Sequence, residues 1–236
     1  MSRESTGFQL VGRQDSGELL DDLTARAAAE AEMSCRLRKS SLETLGSELE
    51  RAARAIAQRL IAGGFIYTFG NGAGSSSAAC VAPLFSRSPG GIALPARCLV
   101  DDQAVLTAIG NNLGYELTFS RQLATFARAG DVTMGYSTGP NADNVIRAFE
   151  EAARRGILTV GFAGRADGPM AACGVIDHCF AVPSHSVHRI EEAQAALSCR
   201  LWAMVQQELR PEGKRRVAWP QQPAARQELL EPEEAL

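Results

Sequence analysis

The sequence predicts an α/β fold: a doubly wound parallel sheet with helices on both faces and further helices ahead of it. Three observations carry that expectation. From residue 65 to residue 210, short β-rich runs alternate with helix-compatible segments. Runs such as ILTVGF at 157–162 are apolar throughout, as strands buried on both faces are. Strand also gives way to helix through glycine and hydroxyl-bearing turns, most plainly at Gly70-Asn71-Gly72-Ala73-Gly74.

Taken in order, residues 1–16 are polar and are expected to be a flexible N-terminus. Residues 17–38, rich in Ala, Glu and Arg, read as a first helix. Ser40 with Glu43 forms a capping box for a second, whose apolar stripe runs Leu42, Leu45, Leu49, Ala53, Ile56, Leu60 and which stops at Gly63-Gly64. Both helices need a covering surface, and subunit contact is the expectation. Strand 65–69 then precedes helix 75–86, and a short strand at 97–100 precedes helix 103–110. Helix 116–128 leads to strand 131–137, and helix 142–155 to strand 157–162. A helical turn at 167–172, strand 175–182 and a long helix over 189–209 complete one domain spanning 17–209. Residues 210–236, rich in Pro, Gln and Glu, read as a mobile tail.

Composition narrows the function. At 236 residues and 45% hydrophobic, the chain can bury one substantial core. A net charge of −3 gives no electrostatic basis for binding nucleic acid or an anionic membrane. No apolar run reaches the ~18 residues of a membrane span, and the polar start has no signal-peptide core. A cytoplasmic protein is expected. The six cysteines form no CxxC pair and read as reduced thiols.

Chemistry is expected where strands end. The glycine loop at 70–74 runs into Ser75, Ser76 and Ser77 at a helix start, the geometry in which backbone N–H groups and a helix dipole meet an anion. A second junction repeats the logic: DVTMGYS (131–137) runs into Thr138-Gly139-Pro140-Asn141-Ala142-Asp143-Asn144. In a parallel sheet both loops lie at the carboxyl ends of strands, where ligands bind. The pair points to a phosphorylated small molecule between them. Helix N-capping by Thr138, Asn141 and Ser75 accounts for the same residues without a ligand.

Residues 40–209 resemble the sugar isomerase (SIS) domain family, and within it the phosphoheptose isomerases. The resemblance rests on FGNGAGS (69–75), DDQAVLTAIGNNLGYE (101–116) and GDVTMGYSTGPNADNVIRA (130–148), extended by LTVGFAG (158–164) and HRIEEAQAALSC (188–199). It implies a flavodoxin-like fold and a homotetramer with sites at subunit boundaries. It also implies conversion of sedoheptulose 7-phosphate to an aldoheptose phosphate through an enediol, often with bound zinc. Asn71, Gly72, Asn111, Ser137 and Thr138 stand at family substrate positions. Asn112 takes the Asp place of the family's Asn-Asp pair, Ser75 supplies a neighbouring hydroxyl, and Glu191 replaces a glutamine ligand.

The departures from the family are as informative. The family's first loop ends Gly-Ser where this chain has Ala73 and Gly74, and two hydroxyls of its second loop have become Gly139 and Ala142. The helix His and Glu fall on Cys80 and on Leu84 or Pro83; two later histidines fall on Gln194 and Cys199. Leu and Gln cannot take a carbon-bound proton. Two readings follow. In one, the site is rebuilt, with Cys80, Cys199 and Glu191 holding zinc and Glu191, Glu192 or His188 acting as base. In the other, the chain binds without turnover, like the family's replication-initiator-associating member, and works through a protein partner.

Overall fold

The computed structural model describes residues 16–210 apart from Pro89, Pro140, Asn141 and Ala166. The expected flexible start, through residue 15, and the expected tail, from residue 211, lie outside the described residues. The order is α1 (Ser16–Thr44), α2 (Gly46–Ile61), β1 (Ile66–Gly70), α3 (Ala73–Arg87), β2 (Ala96–Cys98), α4 (Gln103–Leu113), a 3-10 turn (Tyr115–Leu117), α5 (Thr118–Phe126), β3 (Val132–Tyr136), α6 (Asp143–Arg154), β4 (Leu158–Ala163), α7 (Pro169–Ala172), β5 (His178–Ala181) and α8 (Val187–Glu208).

All strand pairings are parallel and the sheet order is β2-β1-β3-β4-β5, the flavodoxin-like order. The predicted doubly wound sheet is therefore present. Side chains alternate across it as the pleat requires. Ile66, Met134, Tyr136, Val160 and Phe162 face a layer built by α2, α3 and α8. Tyr67 and Phe69 face the layer of α5 and α6, with Phe119, Leu123, Val145 and Phe149. In the first layer Tyr136 stacks on Phe162 at 4.5 Å between ring centroids, and Phe162 meets Phe180 at 5.1 Å. In the second, a Cβ on Gly135 would come within 2.5 Å of the Phe149 ring, so this glycine lets α6 settle on β3.

The leading helices differ from expectation. No break occurs near residue 38 and the capping box does not form: Ser40 lies inside α1 and its hydroxyl donates to the Leu37 carbonyl at 3.0 Å. Nothing between residues 38 and 44 interrupts a helix. The boundary falls at Leu45 instead, and it is a kink, because the Leu45 N–H still reaches Ser41 O (3.0 Å) and the Leu49 N–H reaches Leu45 O (2.9 Å). Strand β5 (His178–Ala181) also starts later than the strand expected at 175–182. The Asp177 carboxylate accepts from both the N–H and the hydroxyl of Thr159 at 2.9 Å, and these bonds replace ladder bonds there. Among the described residues no helix is long and apolar enough to cross a membrane.

The α2 face is tied to the sheet by Glu48, whose carboxylate pairs with His178 Nδ1 on β5 (2.5 Å) and with Arg51. Burial alone would raise the Glu48 carboxyl, but the hydrogen bonds from His178 and Arg51 outweigh it and hold the group below its ordinary value of 4.5. A carboxyl depressed in the folded state stabilises above its unfolded pKa and loses that stabilisation as pH falls through the folded one. Stability from this pair is therefore complete at neutral pH and lost as the pH drops below about 4.5. Urea unfolding of Glu48→Gln across an acid titration is expected to show a shallower acid loss than the parent. An identical profile would show that the pair carries no pH-dependent stability.

Candidate functional site

The glycine loop is shaped by close contacts before any ligand is considered. Gly72 takes φ +53°, a left-handed conformation that glycine adopts at least cost. A Cβ on Gly70 would lie 2.6 Å from Gly74 O and 2.8 Å from Tyr136 O; one on Gly74 would lie 2.7 Å from Tyr136 O. The loop thus closes hard against the carboxyl end of β3. The N–H of Gly74 donates to Asn71 O (2.8 Å) and that of Ser75 to Gly72 O (3.0 Å). The Ser75 hydroxyl also turns back on Gly72 O, at 2.5 Å.

Asn71 joins three segments. Its amide exchanges two hydrogen bonds with Asn144 at the start of α6, Asn71 Nδ2 to Asn144 Oδ1 at 2.6 Å and Asn144 Nδ2 to Asn71 Oδ1 at 2.9 Å. The Tyr115 hydroxyl donates to the same Asn71 Oδ1 at 3.0 Å. The crevice between the β1 and β3 loops, where the sequence sets the ligand, is spanned by this amide pair.

An open cleft of about 650 Å³ lies on the other side of the glycine loop, toward β2. Gly70, Asn71, Gly72, Ser75, Ser76 and Ala79 form one wall. Val100, Asp101, Gln103 and Leu106 form the other, and Tyr115 and Phe119 close the end. Asp102, next to Asp101, caps α4 by accepting from the Val105 N–H at 3.0 Å, which fixes the turn that presents Asp101 and Gln103. Among the described residues, Asp101 is the one formally charged side chain in this lining.

Of the sequence-predicted site residues, Asn71, Gly72 and Ser75 line the cleft. Ser137 is buried beyond the amide pair, its hydroxyl donating to Gly139 O at 3.2 Å, and Thr138 is partly exposed beside it. Asn111 and Asn112 are exposed in the last turns of α4, outside the cleft lining. Glu191 is half-buried on α8, and Glu192 accepts a hydrogen bond from Ser34 of α1. His188 is exposed at the start of α8. None of these three lines the cleft. Sequence reading named Ser76 among the serines of the helix start but missed Asp101, Gln103 and Tyr115. Their signal was present: Asp101 opens a third strand-to-helix junction, after the three-residue β2.

The residues assigned to zinc do not gather. Cys80 on α3 and Cys199 on α8 are both exposed and lie within electrostatic range of each other, but among the described residues no group of three His, Cys, Asp or Glu side chains is placed to hold a metal ion. Glu191 stands eight residues from Cys199, about 12 Å along the helix, and a thiol has a short reach. Desolvation, and then the Cys80 thiol beside it, push the Cys199 thiol up. The residues present do not fit a zinc centre within one chain.

Comparison with known proteins gives the class. The SIS domain family pattern matches residues 31–164, and the chain belongs to the SIS domain family. Within it, the chain falls in the phosphoheptose isomerase-like subgroup. It is 36% identical over 171 residues to the phosphoheptose isomerase of Akkermansia muciniphila, covering 72% of this chain and 89% of the relative. It is 38% identical over 160 residues to that of Burkholderia pseudomallei, covering 66% and 79%. The phosphoheptose isomerase structure from Neisseria gonorrhoeae superimposes with a TM-score of 0.72 at 31% identity, covering 78% of this chain and 99% of that one.

Proposed function

We propose that this chain binds a phosphorylated ketose, sedoheptulose 7-phosphate or a close analogue, in the cleft between the glycine loop and the start of α4. The observation that carries this reading is the lining: a helix start and two serines on one wall, and a carboxylate and an amide on the other. The phosphate suits the α3 side, where hydroxyls and the helix dipole favour negative charge. The polyol suits Asp101, Gln103 and Tyr115, which can accept or donate to hydroxyl groups. The phosphoheptose isomerases to which the chain is similar support the ligand class. The assembly proposed is a homotetramer joined through α1 and α2, for which the exposed Leu19, Leu20 and Leu23 of α1 supply apolar surface.

Titration calorimetry with sedoheptulose 7-phosphate, fructose 6-phosphate and inorganic phosphate tests this. Saturable binding is expected for the ketose phosphates and weaker binding for phosphate alone. Ser76→Ala, which takes away a hydroxyl donor to the phosphate, is expected to weaken ketose phosphate binding roughly tenfold. Absence of heat with every ketose phosphate would overturn the assignment. A second reading, binding without turnover in a regulatory role, is favoured by one observation. Cys80 and Leu84, at the family's His and Glu places on α3, leave that helix without a proton-transfer group: Cys80 is exposed beside Cys199, and Leu84 packs against the core.

A further inference from the structure

We propose that Asp101 is the catalytic base of this cleft, taking the proton from the carbon next to the carbonyl of a bound ketose phosphate. The inference rests on the binding reading above. Position and elimination single this residue out. Helix α3 carries no carboxylate, and position 84 holds a leucine packed against the core. Glu191, Glu192 and His188 do not line the cleft. Of the groups that do, Tyr115 donates its hydroxyl proton to Asn71, Ser75 donates its own to Gly72 O, and Ser76 and Gln103 are neutral at any relevant pH. Among the described residues, Asp101 is left as the one group able to accept a carbon-bound proton there.

Its surroundings are built rather than incidental. The Asp102 cap fixes the turn that carries it. The neighbouring Cys98 thiol is buried, and desolvation pushes it up, with the nearby Asp101 carboxylate adding to the effect; Asp101 itself is exposed and lines the cleft. The step balances without a co-reactant. Asp101 removes the proton from C1 of the ketose, the C1–H electron pair becomes the C1–C2 double bond, and the carbonyl electrons move to the C2 oxygen, which takes a proton from solvent. The enediol then loses its C1 hydroxyl proton to solvent as the C1–O bond becomes a carbonyl. Asp101 returns its proton to C2, giving the aldose.

The test follows the hydrogens at C1 of sedoheptulose 7-phosphate by NMR in deuterium oxide, with binding measured on the same preparations. The wild-type protein is expected to bind and to wash deuterium into the sugar. Asp101→Asn is expected to bind within about tenfold of wild type and to exchange at least ~100-fold more slowly. Asp101→Glu is expected to recover part of the rate. Thermal melts of both variants at the wild-type midpoint exclude a folding defect, as suits an exposed residue. Exchange by Asp101→Asn at the wild-type rate overturns the assignment. Wild-type binding without exchange overturns it too and leaves the binding reading standing. If wild-type protein does not bind, both fall.

Discussion

Gly74→Ser, which restores the serine that the family resemblance sets at this position, is expected to destabilise the protein and to weaken binding of the proposed ketose phosphate. A Cβ at residue 74 would stand 2.7 Å from the Tyr136 carbonyl oxygen and 3.1 Å from the Tyr136 Cβ. Tyr136 cannot yield: it is fully buried, stacked on Phe162, and its hydroxyl is 3.0 Å from Ser198 Oγ on α8. The first turn of α3 would have to lift from β3, taking Asn71 away from Asn144. Overpacking against fixed backbone costs about 1–3 kcal/mol, seen as a lowered urea midpoint. A serine accepted within about 0.5 kcal/mol, in the range of ordinary surface changes, would show that the loop is looser than its contacts imply.

Gln194→Ala is expected to be at least as damaging. Gln194 sits on α8 with no exposed surface, and its Nε2 donates to Ser137 O at 3.2 Å and to Phe162 O at 3.0 Å. One amide therefore holds the carboxyl ends of β3 and β4 against the long helix. Both neighbours are carbonyls, which fixes the orientation of the amide, and its own Oε1 has no partner among the described residues. Truncation takes the Gln194 partner from Ser137 O, removes the second bond to Phe162 O, which still accepts from the Ser137 N–H at 3.0 Å, and leaves a cavity, for a loss of about 2–5 kcal/mol. Gln194→His, the residue that the family resemblance sets there, has one neutral ring N–H to offer and is expected to rescue one carbonyl at most. Equal stability of the Ala variant and the parent in urea would show that water serves the Ser137 carbonyl instead.

Particular residues show what could be read from the sequence. The alternation of apolar runs and amphipathic helices gives the layers directly, because burial on both faces leaves its mark on every strand. The glycine loop and the serines after it were legible for the same reason: each reports a local backbone need. The order of strands was not, since it depends on contacts between residues far apart in sequence. With β1 between β2 and β3, the loop after β1 has two neighbours. Sequence reasoning paired it with the glycine-bearing loop after β3, which the Asn71–Asn144 amide pair bridges. The open neighbour follows β2, a strand of three residues with little pattern to read, and so Asp101 passed unnoticed. The capping box failed differently. Ser40 and Glu43 fit a start signal, but a local signal competes with a helix that already runs through it.

Helix α1 has a consequence of its own. From Leu19 to Glu32 its residues are exposed, and burial begins only with the turn containing Ser34. That stretch is about 20 Å of helix held by little beyond the Asp22–Arg26 and Glu30–Arg189 ion pairs. A helical segment of this length is marginal in water by itself. Its amides should open far more readily than those of the sheet, in the manner of a fraying unit. Whatever covers Leu19, Leu20 and Leu23 therefore also sets how much of α1 is helical. If the cover is a second copy of the chain, helix content becomes a function of protein concentration through mass action, and dilution alone would unwind the helix while the sheet stays intact.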